Sequence, residues 1–187
     1  MYDNKLSATN MLIVINVCVS IVGTILTLTT GHNILFMGGA KYTPLIIQGE
    51  YWRLITPIFL HSGLMHLFMN LYSLFLLGPF IENTFVIIRY LLIYFFSGIV
   101  GNAASALFLP DTVSVGASGA IFGLLGTWLY LGLKYKSQLP VEFLGNVISM
   151  IVINIFYGLI QSNIDNYAHL GGLVSGFLIT LIIDTFH

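Results

Sequence analysis

Two histidines and a serine stand close to the beginnings of long apolar segments, where polar side chains are unexpected. They are His66, Ser118 and His169. A serine hydroxyl becomes a nucleophile when a neighbouring base takes its proton, and a histidine does this near neutral pH. These residue types therefore predict hydrolysis, with Ser118 as nucleophile and His169 as general base, if the fold brings the two together.

Attack on a carbonyl group also requires hydrogen-bond donors about 3 Å from the oxyanion that forms. His66 and Asn70 are four residues apart, so in a helix they lie on one face. With the backbone N–H of Ser118, they are the predicted oxyanion hole. Gly116 and Gly119 flank Ser118 and leave room for a substrate backbone to approach.

Each of these residues also has a structural interpretation. A lone serine in an apolar helix usually bonds back to the helix backbone, and a histidine at a helix end is as often interfacial as catalytic. His61 is expected to brace the segment before the second apolar stretch. Asp165, four residues before His169, is a third triad member or, as we favour, a solvated loop residue. No H-E-x-x-H motif or carboxylate cluster accompanies the histidines, so no metal site is predicted.

Composition indicates what positions these residues. Of 187 residues, 57% are hydrophobic and 7% are charged, the net charge is −1, and the mean hydropathy is +0.95. A soluble domain carries charge on about a quarter of its residues. A water-soluble globule and a disordered chain are therefore excluded, and so is a nucleic-acid partner, because no basic face is available. The single cysteine, Cys18, excludes a disulfide framework within the chain.

Six uncharged stretches are long enough to cross about 30 Å of hydrocarbon as helices. The predicted spans are residues 11–30, 64–80, 86–108, 116–133, 143–160 and 168–184. The fold class is thus an all-α membrane protein, a bundle of six transmembrane helices in one domain of residues 1–187. Segments of alternating polarity, which a β-barrel needs, are missing. Pro79 is expected at a span end, and the first span is too long for a signal peptide and is expected to remain.

The basic residues predict the orientation. With six spans both termini share one side, and the cations of that side are Lys5, Arg89, Lys134 and Lys136. Lys41 and Arg53 fall on the other side, so a cytoplasmic N-terminus is favoured. Glu82 and Arg89, either side of the turn between the second and third spans, are expected to pair. Residues 31–63, rich in aromatic and aliphatic side chains, are expected to lie partly within the membrane interface on the outer side.

This topology places the candidate residues at one depth. The second, fourth and sixth spans run in the same direction, and their polar residues all fall in the first turns. Small residues recur at every fourth position, at Ala168, Gly172 and Gly176 in the sixth span and at Gly119 and Gly123 in the fourth. Such spacing lets helix backbones pack closely in lipid. Contact between these faces brings Ser118 beside His169.

Five groups of residues together match the pattern of one family. They are Trp52-Arg53, His61 with His66-x-x-x-Asn70, Gly78 with Glu82, Gly116-Ala117-Ser118-Gly119, and Ala168-His169-x-Gly171-Gly172. With these motifs, spread over about two-thirds of the chain, the sequence resembles the rhomboid intramembrane serine proteases. G-x-S-G alone is a weak signal, but the combination in a six-span protein is specific.

The resemblance implies a serine endopeptidase that cuts transmembrane protein substrates near the outer surface of the lipid bilayer. Ser118 and His169 would act as a dyad, with His66, Asn70 and the Ser118 N–H as the oxyanion hole and Gly116 as the motif's glycine. No cofactor is implied, and Arg53 would be a structural anchor. We expect a bacterial cell membrane, both termini in the cytoplasm, and a minimal form of the family.

One position departs from the family's pattern, and three other functions are open. Where well-known bacterial members have a tyrosine that packs on the catalytic histidine, this chain has Phe122, whose ring is expected to pack without the hydroxyl. A catalytically inactive relative that binds membrane proteins typically lacks the serine or the histidine, and both are here. A transporter would show internal repeats, and a structural assembly protein would not need polar residues at one depth.

Overall fold

The computed structural model describes residues 7–161 and 163–184. In chain order the helices are α1 (Ala8–Thr30), α2 (Ile34–Met37), α3 (Thr43–Ile47), α4 (Leu64–Thr84), α5 (Ile87–Phe108), α6 (Ser118–Lys134), α7 (Phe143–Ile160) and α8 (Asn166–Asp184). Two 3-10 turns, Tyr51–Leu54 and Thr56–Phe59, precede α4. The fold is therefore helical, with one isolated antiparallel bridge between Lys41 and Ser114 within the described residues.

Six of these helices are long, and they coincide with the six predicted spans. Five of them are long and apolar enough to cross a membrane: α1, α4, α5, α7 and α8. The remaining one, α6, has 17 residues and is the most enclosed, with an unbroken buried run from Gly119 to Thr127. An all-helical membrane fold is confirmed, while a count of six membrane crossings stays a prediction.

The C-terminal end of α4 differs from the prediction. The helix continues to Thr84, so Pro79 lies inside it rather than at its end. The last turn is held by α1, because Glu82 accepts hydrogen bonds from the hydroxyls of Ser7 and Thr9, both at 2.7 Å, and from the N–H of Ala8 at 2.6 Å. The predicted pairing of Glu82 with Arg89 is wrong. A carboxylate at a helix N-terminus satisfies N–H groups that have no partner within the helix.

Glycines allow α6 and α8 to touch along their length. A Cβ atom added to Gly172 would lie 2.0 Å from the carbonyl oxygen of Gly119, and one added to Gly176 would lie 2.1 Å from that of Gly123. Real Cβ atoms do not approach backbone so closely, so only glycine fits at these crossings. The predicted close packing of the fourth and sixth spans is confirmed.

The other end of this helix pair is fastened by charge. Lys134, the last residue of α6, donates to the carboxylate of Asp184, the last residue of α8, at 2.7 Å. The hydroxyls of Tyr130 and Tyr135 donate to the same carboxylate at 3.0 Å. These bonds fix how far α6 and α8 are displaced along each other.

Residues 31–63 fold back against the end of the bundle at which α4, α6 and α8 begin, which we call the site end. The buried guanidinium of Arg53 donates to the carbonyl oxygens of Phe36 and Ala40 at 2.9 and 2.8 Å and pairs with Glu50. Exposed apolar side chains of this segment are Met37, Ile47, Tyr51, Trp52 and Ile55. That surface suits a membrane interface, and its insertion there stays a prediction.

Candidate active site

Ser118 is the first residue of α6 and is half-buried at the site end. The first hydrogen bond of this helix runs from the N–H of Ile121 to the carbonyl oxygen of Ala117, at 3.0 Å. The N–H of Ser118 therefore belongs to the first turn, whose N–H groups have no acceptor within the helix. The positive end of the helix dipole also lies there, so negative charge next to Ser118 is favoured.

Gly116 separates Ser118 from the histidine of α4. Its φ of 132° lies in a region that favours glycine. A Cβ atom there would be 2.7 Å from Nε2 of His66 and 3.7 Å from Oγ of Ser118. The His66 ring and the Ser118 hydroxyl thus border one small space, and it is open because residue 116 has no side chain.

His66 and Asn70 occupy the first two turns of α4. The Asn70 amide donates one N–H to the carbonyl oxygen of His66, at 2.9 Å, which leaves its second N–H for another acceptor. Nδ1 of His66 lies 3.1 Å from the hydroxyl of Ser62. When that hydroxyl is the donor, Nε2 of His66 carries the proton and donates towards the space beside Gly116.

His169 is the fourth residue of α8 and is 8% exposed. Its ring is stacked on that of Phe122, with centroids 4.1 Å apart and planes 9° apart. Phe122 lies one turn after Ser118 in α6. This is the packing that the resemblance implies for a phenylalanine at this position, and it holds the imidazole against the helix that begins with Ser118.

The hydroxyl of Ser118 and the ring of His169 are brought to the same end of the bundle without a hydrogen bond between them in the described part of the chain. Nδ1 of His169 is buried and has no partner there. Their neighbours are in contact, because a Cβ atom on Gly119 would lie 3.4 Å from the carbonyl oxygen of Ala168. Hydrogen bonds of this kind are often long in a free enzyme and shorten when substrate is bound.

Asp165 is half-buried in the loop before α8, and its carboxylate bonds to residues other than His169 in the described part of the chain. Its carboxylate accepts a short hydrogen bond from the hydroxyl of Ser105 in α5 and another from the N–H of Ala168, at 3.0 Å. It therefore caps the N-terminus of α8, which is the usual role of an aspartate just before a helix. Asp165 is a loop residue as expected, but its carboxylate is bonded instead of being surrounded by solvent, and one partner lies 60 positions away in the sequence.

His61 is buried, with its ring edge-on to that of His66 at a centroid distance of 5.1 Å. Burial lowers the pKa of His61 to about 4, and the nearby His66 adds to this effect, while the polar backbone of Phe59 opposes it. A neutral His61 packs against the ring of His66. This agrees with the expected structural role.

Two backbone contacts that hold the loop before Ser118 could not be predicted from the sequence. The N–H of Gly116 donates to the carbonyl oxygen of Pro57, at 2.9 Å, and the backbone of Lys41 pairs with that of Ser114. The side chains of these residues do not indicate the two contacts, because both contacts are made by backbone atoms. Within residues 7–161 and 163–184, no three His, Cys, Asp or Glu side chains are grouped so that they could hold a metal ion.

A comparison with protein families decides the assignment. The model of the family described as the Rhomboid domain matches residues 48–185, which include all the candidate residues above. The chain belongs to the rhomboid family. The family includes intramembrane serine proteases. The five long apolar helices among the described residues make this chain an integral, multi-pass membrane protein.

Individual relatives come from bacteria, plants and a parasite. The chain is 46% identical over 149 residues to Rhomboid protease GluP of Bacillus subtilis (strain 168), which is 80% of this chain and 29% of that protein. It is 44% identical over 143 residues to RHOMBOID-like protein 6, mitochondrial, of Arabidopsis thaliana, which is 74% of this chain and 46% of that protein. It is 35% identical over 180 residues to Rhomboid-like protease 1 of Toxoplasma gondii, which is 91% of this chain and 59% of that protein. The chain thus spans less than two-thirds of each of these rhomboid proteins.

Proposed function

We propose that this chain is an intramembrane serine endopeptidase in which Ser118 is the nucleophile and His169 the general base. The observation that carries the proposal is the position of Ser118 at the N-terminus of α6. Its hydroxyl borders the same glycine-lined space as Nε2 of His66, and its helix holds the ring of His169 through Phe122. A serine at the end of an ordinary packing helix would need none of these neighbours.

In the first step, His169 takes the proton of the Ser118 hydroxyl as the oxygen attacks the carbonyl carbon of a peptide bond. The carbonyl oxygen becomes negative and is stabilised by the Ser118 N–H, by Nε2 of His66 and by the free N–H of Asn70. His169 then gives its proton to the leaving amine, and an acyl-enzyme on Ser118 remains. Water attacks this ester in the second half of the reaction, with His169 again as the base.

The substrates in this proposal are transmembrane proteins, cut near the surface of the lipid bilayer that holds the site end. The orientation, with both termini in the cytoplasm of a cell, and the arrangement of residues 1–187 as one domain are parts of the same proposal. Basic residues at the opposite end of the bundle support the orientation, since Lys134 and Lys136 lie there.

The experiment that tests the proposal is cleavage of a single-span test protein by the purified chain in liposomes. Wild type, Ser118→Ala and His169→Ala are compared, and a fluorophosphonate probe reports a reactive serine. Ser137→Ala and His32→Ala are matched controls, because both residues are exposed and neither is a candidate site residue. We expect cleavage and labelling in wild type and controls, and neither in the two site variants.

Two results would contradict the proposal. Cleavage by Ser118→Ala at the wild-type rate would exclude Ser118 as the nucleophile. A folded wild type that neither cuts several test proteins nor reacts with the probe would instead favour the inactive relative that binds membrane proteins.

A further inference from the structure

Lys41 is a buried cation to which no carboxylate of the described residues is bonded. Its side chain and backbone are fully enclosed, and the ammonium donates to the carbonyl oxygens of Leu109 and Thr112 at 2.8 and 3.0 Å and to the Thr112 hydroxyl at 3.1 Å. An ammonium group has three N–H donors, and all three are used. Burying a charge costs free energy that an apolar side chain of similar size would not cost.

The acceptors of Lys41 identify what it holds. Leu109 is the C-cap residue that directly follows α5, and Thr112 lies in the connection between α5 and α6. The carbonyl groups at a helix C-terminus lack partners within the helix and carry partial negative charge, so a cation there is favourable. The ammonium therefore fastens the beginning of the connection that leads to Ser118.

The backbone of Lys41 fastens the same connection further along. Its N–H donates to the carbonyl oxygen of Ser114 at 2.9 Å, and its carbonyl oxygen accepts from the N–H of Ser114 at 3.1 Å. Two residues later the N–H of Gly116 donates to Pro57, which belongs to the same folded segment. The connection is thus held at three points by residues 31–63, and the last of them lies beside the Ser118 hydroxyl.

Within residues 31–63, a hydrogen bond holds the backbone next to Lys41. The carbonyl oxygen of Ala40, the residue before Lys41, accepts a hydrogen bond from the buried guanidinium of Arg53. Burial lowers the pKa of the Lys41 ammonium, and the negative charge of Asp165 opposes this shift. The lysine thus stands within the electrostatic reach of the residue that caps α8.

We propose that Lys41 is a positioning residue, whose ammonium and backbone hold the α5–α6 connection so that Gly116 and Ser118 face His66. This inference rests on the proposed protease function. A displacement of about 1 Å between reacting groups lowers a rate by about 100-fold, so a loosened connection should be visible in the chemical step. Lys41 does not touch the reacting atoms.

The first test compares wild type, Lys41→Met and Lys136→Met, the last being a lysine exposed at the opposite end of the bundle. Cleavage in liposomes gives kcat and KM, fluorophosphonate labelling gives the reactivity of Ser118, and the probe stoichiometry gives the active fraction. We expect kcat per active site and the labelling rate to fall by about tenfold or more in Lys41→Met, with KM little changed. Lys136→Met should equal wild type.

A disulfide then separates positioning from general stability. Residues that exchange both backbone hydrogen bonds in an antiparallel pair have Cα atoms about 5.5 Å apart, within the range of a disulfide. In a Cys18→Ser background, Lys41→Cys alone should be slow, and Lys41→Cys with Ser114→Cys should regain most of the wild-type rate when oxidised and lose it on reduction.

The outcomes are distinct. A wild type that neither cuts nor labels would overturn the proposed protease function itself. With an active wild type, Lys41→Met at the wild-type kcat, or an oxidised double variant as slow as Lys41→Cys, would overturn the role of Lys41. A fall in the active fraction with unchanged kcat per active site would also overturn it, because that result describes a stability effect alone.

Discussion

The ring of Phe122 lies parallel to the ring of His169, with centroids 4.1 Å apart. The imidazole of α8 is therefore oriented by a side chain of the same helix that carries Ser118. A stacked pair of this kind contributes about 0.5–1.5 kcal/mol beyond the area that it buries. The orientation of the proposed base depends on this stack more than on any hydrogen bond to its Nδ1, which has none in the described part of the chain.

Replacing Phe122 by leucine should slow the reaction of Ser118. Phe122→Leu keeps an apolar side chain but removes the flat surface against His169, and we expect fluorophosphonate labelling to slow by up to about tenfold. Phe68→Leu is the control, since Phe68 stacks on Tyr72 on an exposed face of α4. Equal rates in wild type and Phe122→Leu would show that the stack does not orient the base.

Removing the amide of Asn70 should slow cleavage without abolishing it. Loss of one oxyanion donor costs roughly 3 kcal/mol, or about 100-fold in kcat, so Asn70→Ala should retain measurable activity where Ser118→Ala has none. Asn154→Ala is a close control, because Asn154 also bonds the carbonyl oxygen four residues back, in α7. An Asn70→Ala protein as inactive as Ser118→Ala would mean that Asn70 is required for the fold instead.

A single methyl group at the crossing of α6 and α8 should destabilise the bundle. In Gly172→Ala the new carbon would lie 2.0 Å from the Gly119 carbonyl oxygen, so the helices must separate, at a cost of about 3 kcal/mol. Gly145→Ala is the control, since nothing lies within 4 Å of the added carbon. Thermal unfolding in detergent micelles measures both, and an unchanged Tm for Gly172→Ala would refute the contact.

Acid should destabilise the protein partly through His61. Its pKa is about 4 in the fold and about 6.5 in an unfolded chain, so between these values the unfolded state binds more protons. Stability is then lost as the pH falls from about 6.5 towards 4. For this residue the loss is roughly 2 kcal/mol at pH 4.5.

The measurement is the free energy of unfolding at pH 7.5 and 4.5 for wild type and His61→Phe. The variant keeps a ring beside His66 and removes the titrating group, so its loss at pH 4.5 should be smaller than that of wild type. His32→Phe, at an exposed histidine, should behave as wild type. Identical acid losses in wild type and His61→Phe would assign the effect to other groups.

The positions of the long helices could be predicted from the sequence because charged residues separate apolar stretches that are each about as long as one membrane-spanning helix. The fifth predicted span, 143–160, has the bounds of α7. Packing of α6 on α8 could be predicted as well, since glycine spacing is a local pattern whose partner has the same spacing. The candidate site residues could be proposed from the sequence because they belong to short motifs typical of the family.

The partners of buried charges could not be predicted. Glu82 reaches α1 and Asp165 reaches α5, contacts that join positions more than 50 residues apart. In the sequence, Lys41 is a charge that indicates orientation, whereas the fold encloses it among carbonyl oxygens. A charged side chain in a sequence shows that a partner is needed, and only the assembled helices show which one.

The ion pair between Lys134 and Asp184 has a consequence at the far end of the molecule. At about 1.5 Å per residue, Ser118 lies about 24 Å along α6 from Lys134, and His169 lies about 23 Å along α8 from Asp184. Ser118 and His169 thus lie at nearly equal distances along their helices from the Lys134–Asp184 ion pair. Inserting one residue into either would move its side chain by about 1.5 Å along the axis and about 100° around it. The level at which serine and imidazole meet is therefore set by a bond at the opposite end of the helix bundle.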